Sequence, residues 1–479
     1  MDFDVVVVGA GLSGIAAAYH LQKSCPDRSF TVLEGRDSIG GTWDLFRYPG
    51  VRGDTDIYTY GFPFHPWRDR KAIADGPSIL AYLQDTVDTF GLDRCIQFGK
   101  RVVASDWSSA EEKWTLTVTD SHSGEGQTIT CSFLLLCSGY YNYENGYKPD
   151  FPNEDAFQGI KIHPQQWDEN LDYTDKKIVI IGSGATAVTL LPALAEKADC
   201  VTMLQRSPTY MVSYPWEDAT ANFFKKLLPK RLAHTLSRWK GILFQWSTYN
   251  LSRRMPNLVK GYLIYQIRKG LKDKYDPKDW TPKYNPWDQR LCLVPGSELF
   301  KAIKKGKAEV VTDTIKQFVK DGIELDSGRK LDADIIITAT GLQMHFFRGN
   351  KVRVDGNLLD FSESPAFKGV MLSDIPNFAF TYGYINAAWT LRVELICIYI
   401  TKVLNYMKKN NLRVCTPKFD HENIDKEPML NLNAGYVLRS QHLQPMQGTT
   451  NPWILHQSYI KDLFALKYSR VQNKYLEFV

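Results

Sequence analysis

The sequence predicts an α/β protein with two Rossmann-like dinucleotide-binding domains, in which the second domain is inserted into the first and carries a helical insert of its own. Three observations support this prediction. A glycine-rich turn joins an apolar strand to a helix near the N-terminus, and the same pattern returns near residue 180. The third observation is a pair of strand-to-glycine junctions at Gly139 and Gly341. These junctions indicate where the chain leaves the first domain and where it re-enters it.

The first glycine-rich turn lies in residues 4–14, DVVVVGAGLSG, between a strand of β-branched residues and the helix-forming stretch IAAAYHLQ. In this pattern Gly9 allows a tight turn, Gly11 lets the backbone approach a pyrophosphate, and Gly14 lets the helix pack against the strand. The next strand, FTVLEG, ends in Glu34, which is placed to accept hydrogen bonds from a ribose hydroxyl. The sequence therefore predicts a dinucleotide site here.

The second turn, in KKIVIIGSGATAVTLL, repeats the pattern with Ala187 in the place of the third glycine. Four of its residues are expected to bind the cofactor: Gly182, Gly184, Ala185 and Thr186. The strand that follows ends in Arg206 and Ser207 rather than in an acid, and a guanidinium can hold a 2′-phosphate in a bidentate manner. This favours NADPH over NADH, although an ordinary surface arginine would give the same sequence.

Two dinucleotide sites in one chain imply electron transfer from a nicotinamide to a second nucleotide cofactor, for which FAD is the usual partner. We expect the FAD domain in residues 1–142 and 339–479, the latter including a C-terminal tail, and a linker in 143–175. The NADPH domain is expected in 176–338 with a helical insert at 216–280. The stretch IPNFAFTYGYINAAWTLRVEL is predicted to form a returning strand and a helix that begins near Ala387.

Composition is that of a globular protein: 479 residues, 44% hydrophobic and 23% charged, without an uninterrupted apolar run long enough to span a membrane. The N-terminus lacks the basic start of a secretion signal. The eight cysteines show no C-x-x-C pair and no metal-ligand spacing, so reduced cysteines, no bound metal and a cytoplasmic location are expected.

Two further motifs carry a family resemblance. The linker fits F-x-G-x-x-x-H-x-x-x-W-[P/D] with Phe157, Gly159, His163, Trp167 and Asp168. Residues 40–54, GGTWDLFRYPGVRGD, fit [A/G]-G-x-W-x-x-x-x-[F/Y]-P-[G/M]-x-x-x-D. Together with both glycine-rich turns, these motifs resemble those of type I Baeyer-Villiger monooxygenases, and YNPWDQRLCLVPGSELF is similar to the ethionamide monooxygenase branch.

The resemblance implies that NADPH reduces FAD, that O2 then forms a C4a-peroxyflavin, and that this inserts one oxygen atom into a hydrophobic ketone to give an ester, with sulfoxidation as a side activity. It assigns the catalytic cation to Arg290 and the acid that orients it to Asp54. An interdomain salt bridge is the alternative for Arg290, and its position in the motif favours the catalytic role. Asp56 could share the task of Asp54. Where many relatives have Lys before this Arg, the present chain has Gln289, so NADPH binding depends mainly on Arg206.

The resemblance also places Gly41, Thr42, Trp43 and Asp54 beside the flavin, together with Gly341, whereas Trp43 and Trp389 could equally serve core packing. His163 and Trp167 are expected to give the linker defined contacts; a backbone hydrogen bond is an alternative to a chemical role for His163. Two other functions stay open. They are an N- or S-oxygenating flavin monooxygenase and a non-catalytic flavin and NADPH sensor.

Basic residues are concentrated in the insert: residues 223–272 contain twelve Lys or Arg and no Asp or Glu. Apolar residues there recur every three or four positions, which predicts a helix with one apolar face. They are Leu228, Leu232, Leu236, Trp239, Leu243 and Trp246. Such a helix could contact a membrane surface, mediate self-association, or pack over the NADPH domain and form a wall of the substrate cleft. No nucleic-acid partner is expected, because no nucleic-acid-binding motif accompanies the charge.

Overall fold

The computed structural model describes residues 1–430 and 435–479, and two mainly parallel sheets form its centre. Buried β-branched residues form the central strands, as expected for sheets that are covered on both faces. The strands of the two sheets, in chain order, are β1 (Phe3–Val8), β2 (Phe30–Leu33), β3 (Ile96–Gln97), β4 (Lys100–Ser108), β5 (Lys113–Asp120), β6 (Gly126–Leu136), β7 (Ile160–Ile162), β8 (Lys177–Ile181), β9 (Cys200–Gln205), β10 (Ala308–Thr312), β11 (Ile335–Thr338), β12 (Lys351–Val354), β13 (Asn357–Leu358) and β14 (Phe378–Phe380).

The first sheet has the order β13-β12-β4-β5-β6-β1-β2-β3, with β14 paired to β6. Strand β1 is parallel to β2 and β6, and β14 is parallel to β6, whereas β5 is antiparallel to both β4 and β6. Its strands come from residues 3–136 and 351–380. The sheet is therefore built from two distant parts of the chain, and the predicted return through IPNFAF is confirmed in β14.

The second sheet has the order β10-β9-β8-β11-β7 and is parallel throughout. All of its strands lie within residues 160–338. We call the part of the chain that forms the first sheet the first unit and the part that forms the second sheet the second unit, so the second unit is inserted into the first. One point differs from the predicted division: β7 lies in the segment expected to be a linker, because Ile160–Ile162 pairs with β11. The linker thus supplies the edge strand of the second unit.

Helices cover both sheets and fill the insert. The helices of seven or more residues in the described part are α1 (Leu12–Ser24), α2 (Gly76–Phe90), α3 (Ala185–Leu194), α4 (Ala219–Leu227), α5 (Lys230–Arg254), α6 (Pro256–Leu271), α7 (Glu298–Lys304) and α8 (Trp389–Lys409). Helices α1, α2 and α8 cover one face of the first sheet, and α3 and α7 one face of the second. Within the described residues, no helix is both long and apolar enough to cross a membrane.

The predicted helical insert consists of α4, α5 and α6, followed by the short helix Pro277–Trp280. Asp218 caps α4 by accepting a hydrogen bond from the Ala221 N–H at 2.9 Å, and Pro256 occupies the first turn of α6. Helix α5 lies against the short helix Ile57–Tyr60 of the first unit. Helix α6 contributes Ile267 and Leu271 to the core of the second unit, so the insert packs on both units.

Candidate active site

A cavity of about 1610 Å³ lies between the two sheets, and both glycine-rich turns open into it. Sites for one small ligand usually measure about 300–1,000 Å³, so the volume suits more than one large ligand. Helices α5 and α6 of the insert form part of its wall. The predicted site residues that line it are Gly9, Gly11, Glu34, Gly41, Thr42, Trp43, Asp54, Gly182, Gly184, Ala185, Thr186, Arg206, Ser207, Arg290 and Gly341.

The first turn shows a separate physical reason for each of its glycines. Gly9 has φ +101°, and a Cβ there would lie 2.8 Å from the Cys137 carbonyl oxygen. A Cβ on Gly14 would lie 1.8 Å from the Gly9 oxygen, so this residue serves helix packing and does not line the cavity. A Cβ on Gly11 would make only ordinary van der Waals contact, 3.7 Å from the Cα of Gly41, so the backbone here is not crowded. A pyrophosphate can therefore approach the backbone at Gly11.

Glu34 follows β2 and is buried. One carboxylate oxygen accepts from the Ala10 N–H at 2.7 Å and the other accepts from the Arg36 N–H at 2.9 Å. The carboxylate thus holds the glycine-rich turn in place. Because each carboxylate oxygen can accept more than one hydrogen bond, Glu34 can also bind ribose hydroxyls.

The second turn has the same design. Gly182 has φ +131°, and its Cβ would lie 2.3 Å from the Ala339 oxygen, whereas a Cβ on Gly184 would meet no atom within 4 Å. Ala187 is fully buried, so a methyl group fits at the third position. Arg206 and Ser207 are exposed at the cavity wall, where a phosphate could reach them.

His163 fastens the linker to the returning chain. Its Nδ1 accepts from the Gln165 N–H at 3.2 Å, so the proton is on Nε2, which donates to the Gly341 oxygen at 3.2 Å. Burial lowers the pKa of His163, although the bond to Gly341 opposes this. A Cβ on Gly146 would lie 1.9 Å from the ring, so only glycine fits beside it. These contacts favour a structural role for His163.

The other linker residues also serve packing rather than the cavity. A Cβ on Gly159 would lie 2.4 Å from the Asp334 oxygen and 2.4 Å from the Phe157 ring. Phe157 is buried, and Trp167 packs edge-on against Tyr173 with ring centroids 6.4 Å apart. Asp168 accepts from the Asn170 N–H at 2.9 Å. The motif therefore fixes the path of the linker beside the second sheet.

Arg290 reaches into the cavity, where its side chain is open to solvent although protein surrounds it. Burial alone would lower the pKa of Arg290, but the hydroxyl groups of four nearby tyrosines raise it above its ordinary value. The guanidinium thus stays charged at every working pH. These tyrosines are Tyr436, Tyr140, Tyr141 and Tyr382.

Asp54 faces the same cavity. Burial raises its pKa, while the charges of Arg52 and Arg290 oppose this, with Arg52 the stronger. Among the described residues, no direct ion pair joins Asp54 to either arginine. Asp56 is engaged elsewhere, because it accepts from the Thr59 N–H at 2.9 Å and hydroxyl at 2.7 Å. Asp54 is therefore the carboxylate that faces Arg290.

The two tryptophans near the first turn are held by polar contacts. Trp43 donates from its ring N–H to the Tyr60 hydroxyl at 2.8 Å, and Trp389 donates to the Ser13 hydroxyl at 3.0 Å. Both line the cavity. They thus contribute to its wall as well as to packing.

Several cavity residues were not predicted from the sequence. The stretch YYNYENGY directly after Gly139 supplies Tyr140 and Tyr141, whose hydroxyl groups are 3.1 Å apart. Arg439 lies 3.5 Å above the Tyr147 ring. The only sequence signal was the density of tyrosines after a strand-to-glycine junction. Tyr436 also lines the cavity and carried no signal, because it comes from a distant segment.

A sequence profile described as flavin-binding monooxygenase-like matches residues 3–359. The chain belongs to this family. The FAD-containing monooxygenase EthA of Mycolicibacterium smegmatis is 50% identical over 478 residues, which cover 99% of this chain and 97% of that protein. The probable FAD-binding monooxygenase AlmA of Acinetobacter baylyi is 47% identical over 477 residues, covering 99% and 96%.

Solved structures of similar fold include an oxidized steroid monooxygenase bound to NADP, with a TM-score of 0.79, 22% identity and 100% coverage of both chains. Cyclohexanone monooxygenase from Rhodococcus sp. Phi1, bound to NADP+, has a TM-score of 0.70 and 20% identity and covers 87% of this chain and 86% of that one. The α/β fold is thereby confirmed. The family profile and the EthA match confirm the predicted class of flavin monooxygenase.

Proposed function

We propose that this flavin monooxygenase uses FAD, NADPH and O2 to insert one oxygen atom into hydrophobic ketones, giving esters, with sulfoxidation as a side activity. The observation that carries the proposal is the permanent cation of Arg290 in a tyrosine-lined part of the cavity that both glycine-rich turns share. A steroid monooxygenase and a cyclohexanone monooxygenase of the same fold bind NADP, and the EthA relative contains FAD.

The chain offers a fitting site for each cofactor. FAD would lie on the first turn, with its pyrophosphate at Gly11 and a ribose at Glu34. NADPH would lie on the second turn, with its pyrophosphate at Gly184 and its 2′-phosphate at Arg206. When bound, the two cofactors supply reducing electrons and the activation of O2.

Arg290 places positive charge where negative charge develops on the reacting oxygen. Such stabilisation would become stronger once bound cofactors and substrate displace water from around Arg290, because the effective dielectric constant would then be lower. A planar guanidinium that never loses its charge suits this role better than a lysine ammonium. Arg290 thereby favours attack on a carbonyl carbon.

Tyr141, beside Arg290, acts as a hydrogen-bond donor. Tyr141 lines the cavity, and burial raises its pKa well above the ordinary value, so it stays protonated at neutral pH. A protonated phenol can donate to a ketone oxygen and cannot serve as a base. Tyr141 thus orients and polarises the ketone, and Arg290 supplies the charge.

The proposal is tested with Arg290→Ala and Arg290→Lys in stopped-flow and product assays. Removing one such electrostatic contact lowers turnover about 10²–10³-fold in enzymes that depend on it. We expect ester formation from a ketone to fall by this factor in Arg290→Ala and less in Arg290→Lys, whereas flavin reduction by NADPH and oxidation of a sulfide persist. Arg329→Ala, at a surface ion pair with Glu309, is the control. Normal ester yield in Arg290→Ala would reject the role.

A further inference from the structure

Helix α5 turns its apolar side away from the protein. Its larger apolar residues follow one another at spacings of four, three, four and three residues, so they lie in one stripe. Each is between 38% and 49% exposed. They are Leu232, Leu236, Trp239, Leu243 and Trp246.

The opposite side of α5 explains this orientation. It carries the small residues Ala233, Ser237 and Gly241, which are buried. A Cβ on Gly241 would lie 2.6 Å from the side chain of Thr59, so the helix packs closely on the first unit. A surface helix ordinarily buries its larger apolar side chains. In α5 only Ile242 is buried in this way, whereas the stripe stays partly exposed even though Trp239 packs edge-on against Tyr459, with ring centroids 5.9 Å apart.

The neighbouring helices extend this surface. Leu258, Tyr262 and Tyr265 of α6 recur at spacings of four and three residues and are 55%, 57% and 58% exposed. Phe223 and Leu227 of α4 are 57% and 68% exposed. Exposed apolar patches of this kind mark interaction sites. We call the stripe of α5 together with these residues of α4 and α6 the insert face.

Positive charge accompanies the insert face. Of the twelve Lys and Arg in residues 223–272, Lys240 pairs with Asp218 and Arg253 with Asp288. Seven others are exposed and form no ion pair within the described part of the chain. They are Lys226, Lys230, Arg231, Arg254, Arg268, Lys269 and Lys272.

The insert face also meets the cavity. Phe244, Leu251, Leu258 and Tyr262 line the cavity and are 53%, 42%, 55% and 57% exposed. They mark an opening of the cavity beside the apolar stripe. A hydrophobic molecule that leaves the surface touching the insert face could enter here without crossing bulk water.

We propose that the insert face docks on an anionic lipid bilayer, with this opening of the cavity turned towards the lipid. Apolar side chains would enter the boundary between headgroups and acyl chains, while the basic residues contact the headgroups. A second copy of the chain fits less well, because two such faces would bring like charges together. Nucleic acid would use the charge but would leave the Leu and Trp stripe exposed.

Docking is tested by co-sedimentation of the holoenzyme with vesicles of phosphatidylcholine, alone or mixed with phosphatidylglycerol. We expect binding to the mixed vesicles only. Each Lys or Arg near the headgroups strengthens binding about fivefold. The triple variant Lys226→Gln, Arg231→Gln and Arg254→Gln should therefore bind about 100-fold more weakly, and Leu236→Ser with Leu243→Ser and Trp246→Ser should also lose binding.

The control removes three exposed charges from the first unit: Lys23→Gln, Arg94→Gln and Lys409→Gln. It should bind as the unmodified protein does. Four outcomes would each overturn the proposal. The first two are an equal loss of binding in this control and failure of the unmodified protein to bind mixed vesicles. The others are concentration-dependent dimers in sedimentation velocity that the apolar variant abolishes, and binding to RNA without binding to vesicles.

The orientation of the opening rests on the proposed function and has its own test. A long-chain ketone dissolved in mixed vesicles should be oxidised faster by the unmodified protein than by the apolar variant, while both oxidise a short water-soluble ketone equally. Equal rates on the vesicle-borne ketone would refute the orientation. If neither ketone reacted, the proposed function would fail, and co-sedimentation would still decide the docking.

Discussion

Arg238 joins the helical insert to the first unit and gives a prediction whose size follows from its contacts. It lies on α5, is 6% exposed, and one of its terminal nitrogens donates to three backbone carbonyls. The distances are 3.0 Å to Tyr58, 3.1 Å to Thr59 and 2.7 Å to Gly61. Arg238→Met keeps the apolar stem and removes all three hydrogen bonds.

Two of these carbonyls would then be left bare. The Thr59 oxygen also accepts from the Thr390 hydroxyl at 3.1 Å, so it keeps a partner. An unsatisfied buried carbonyl costs about 1–3 kcal/mol, which gives about 2–6 kcal/mol for the Tyr58 and Gly61 oxygens. The lower end applies, because Met also avoids the desolvation of a guanidinium. We therefore expect the insert to be about 2 kcal/mol easier to detach.

Hydrogen–deuterium exchange measures this local opening directly. Since about 1.4 kcal/mol is a factor of ten, amides of α5 and of the helix Ile57–Tyr60 should exchange about 30-fold faster in Arg238→Met. Arg231→Met changes an exposed arginine of the same helix and serves as the control. Unchanged exchange in Arg238→Met, or equal acceleration in both variants, would refute the assignment of Arg238 as the anchor.

Three further predictions concern single residues. Burial lowers the pKa of His234 to about 4, so the unfolded chain takes up the proton first as the pH falls. The free energy of unfolding should therefore decrease between about pH 6.5 and pH 4, by up to about 3 kcal/mol. In thermal unfolding at pH 7 and pH 4.5, His234→Leu should lose this part of the pH dependence, and an unchanged dependence would contradict the prediction. Arg206→Gln should raise the KM for NADPH while leaving that for NADH unchanged, and an equal change in both would argue against a 2′-phosphate contact. Gly14→Ala should lose bound flavin, because the new methyl group would lie 1.8 Å from the Gly9 oxygen. The control Gly126→Ala should retain flavin, because its methyl group would meet no atom within 4 Å. Full flavin content in Gly14→Ala would refute the packing argument.

The parts of the fold that the sequence predicted are those that depend on local chemistry. A glycine-rich turn needs a positive φ at Gly9 and close packing at Gly14, and both requirements are written into neighbouring residues. The returning strand β14 was recognisable as an apolar run before a helix. The predicted linker illustrates the limit: residues 160–162 pair with β11, which lies more than 170 residues later, and no local pattern records that pairing.

The candidate site was predictable only where motifs carry it. Arg290 and Asp54 were named from a resemblance, and the structure places both at the same cavity. The tyrosines around Arg290 come from three separate stretches of the chain, so their convergence is a property of the tertiary structure. Similarly, residue spacing predicted an apolar stripe on α5, but which way the stripe faces was decided by Gly241 and its close contact with Thr59.

The insert also ties the two units together at the cavity. Gln245 of α5 donates to the Asp56 carboxylate at 2.9 Å and accepts from the Ala388 N–H at 3.2 Å, at the start of α8. With Arg238, it gives the insert its buried polar contacts with the first unit, although the chain enters and leaves the insert from the second. Breaking these contacts would leave buried polar groups without partners, which is costly. Helix α6, by contrast, packs on the second unit, where Ile267 and Leu271 enter the core beside α3 and α7. The insert therefore bridges the two units, and any relative movement of the units must shift contacts of the insert.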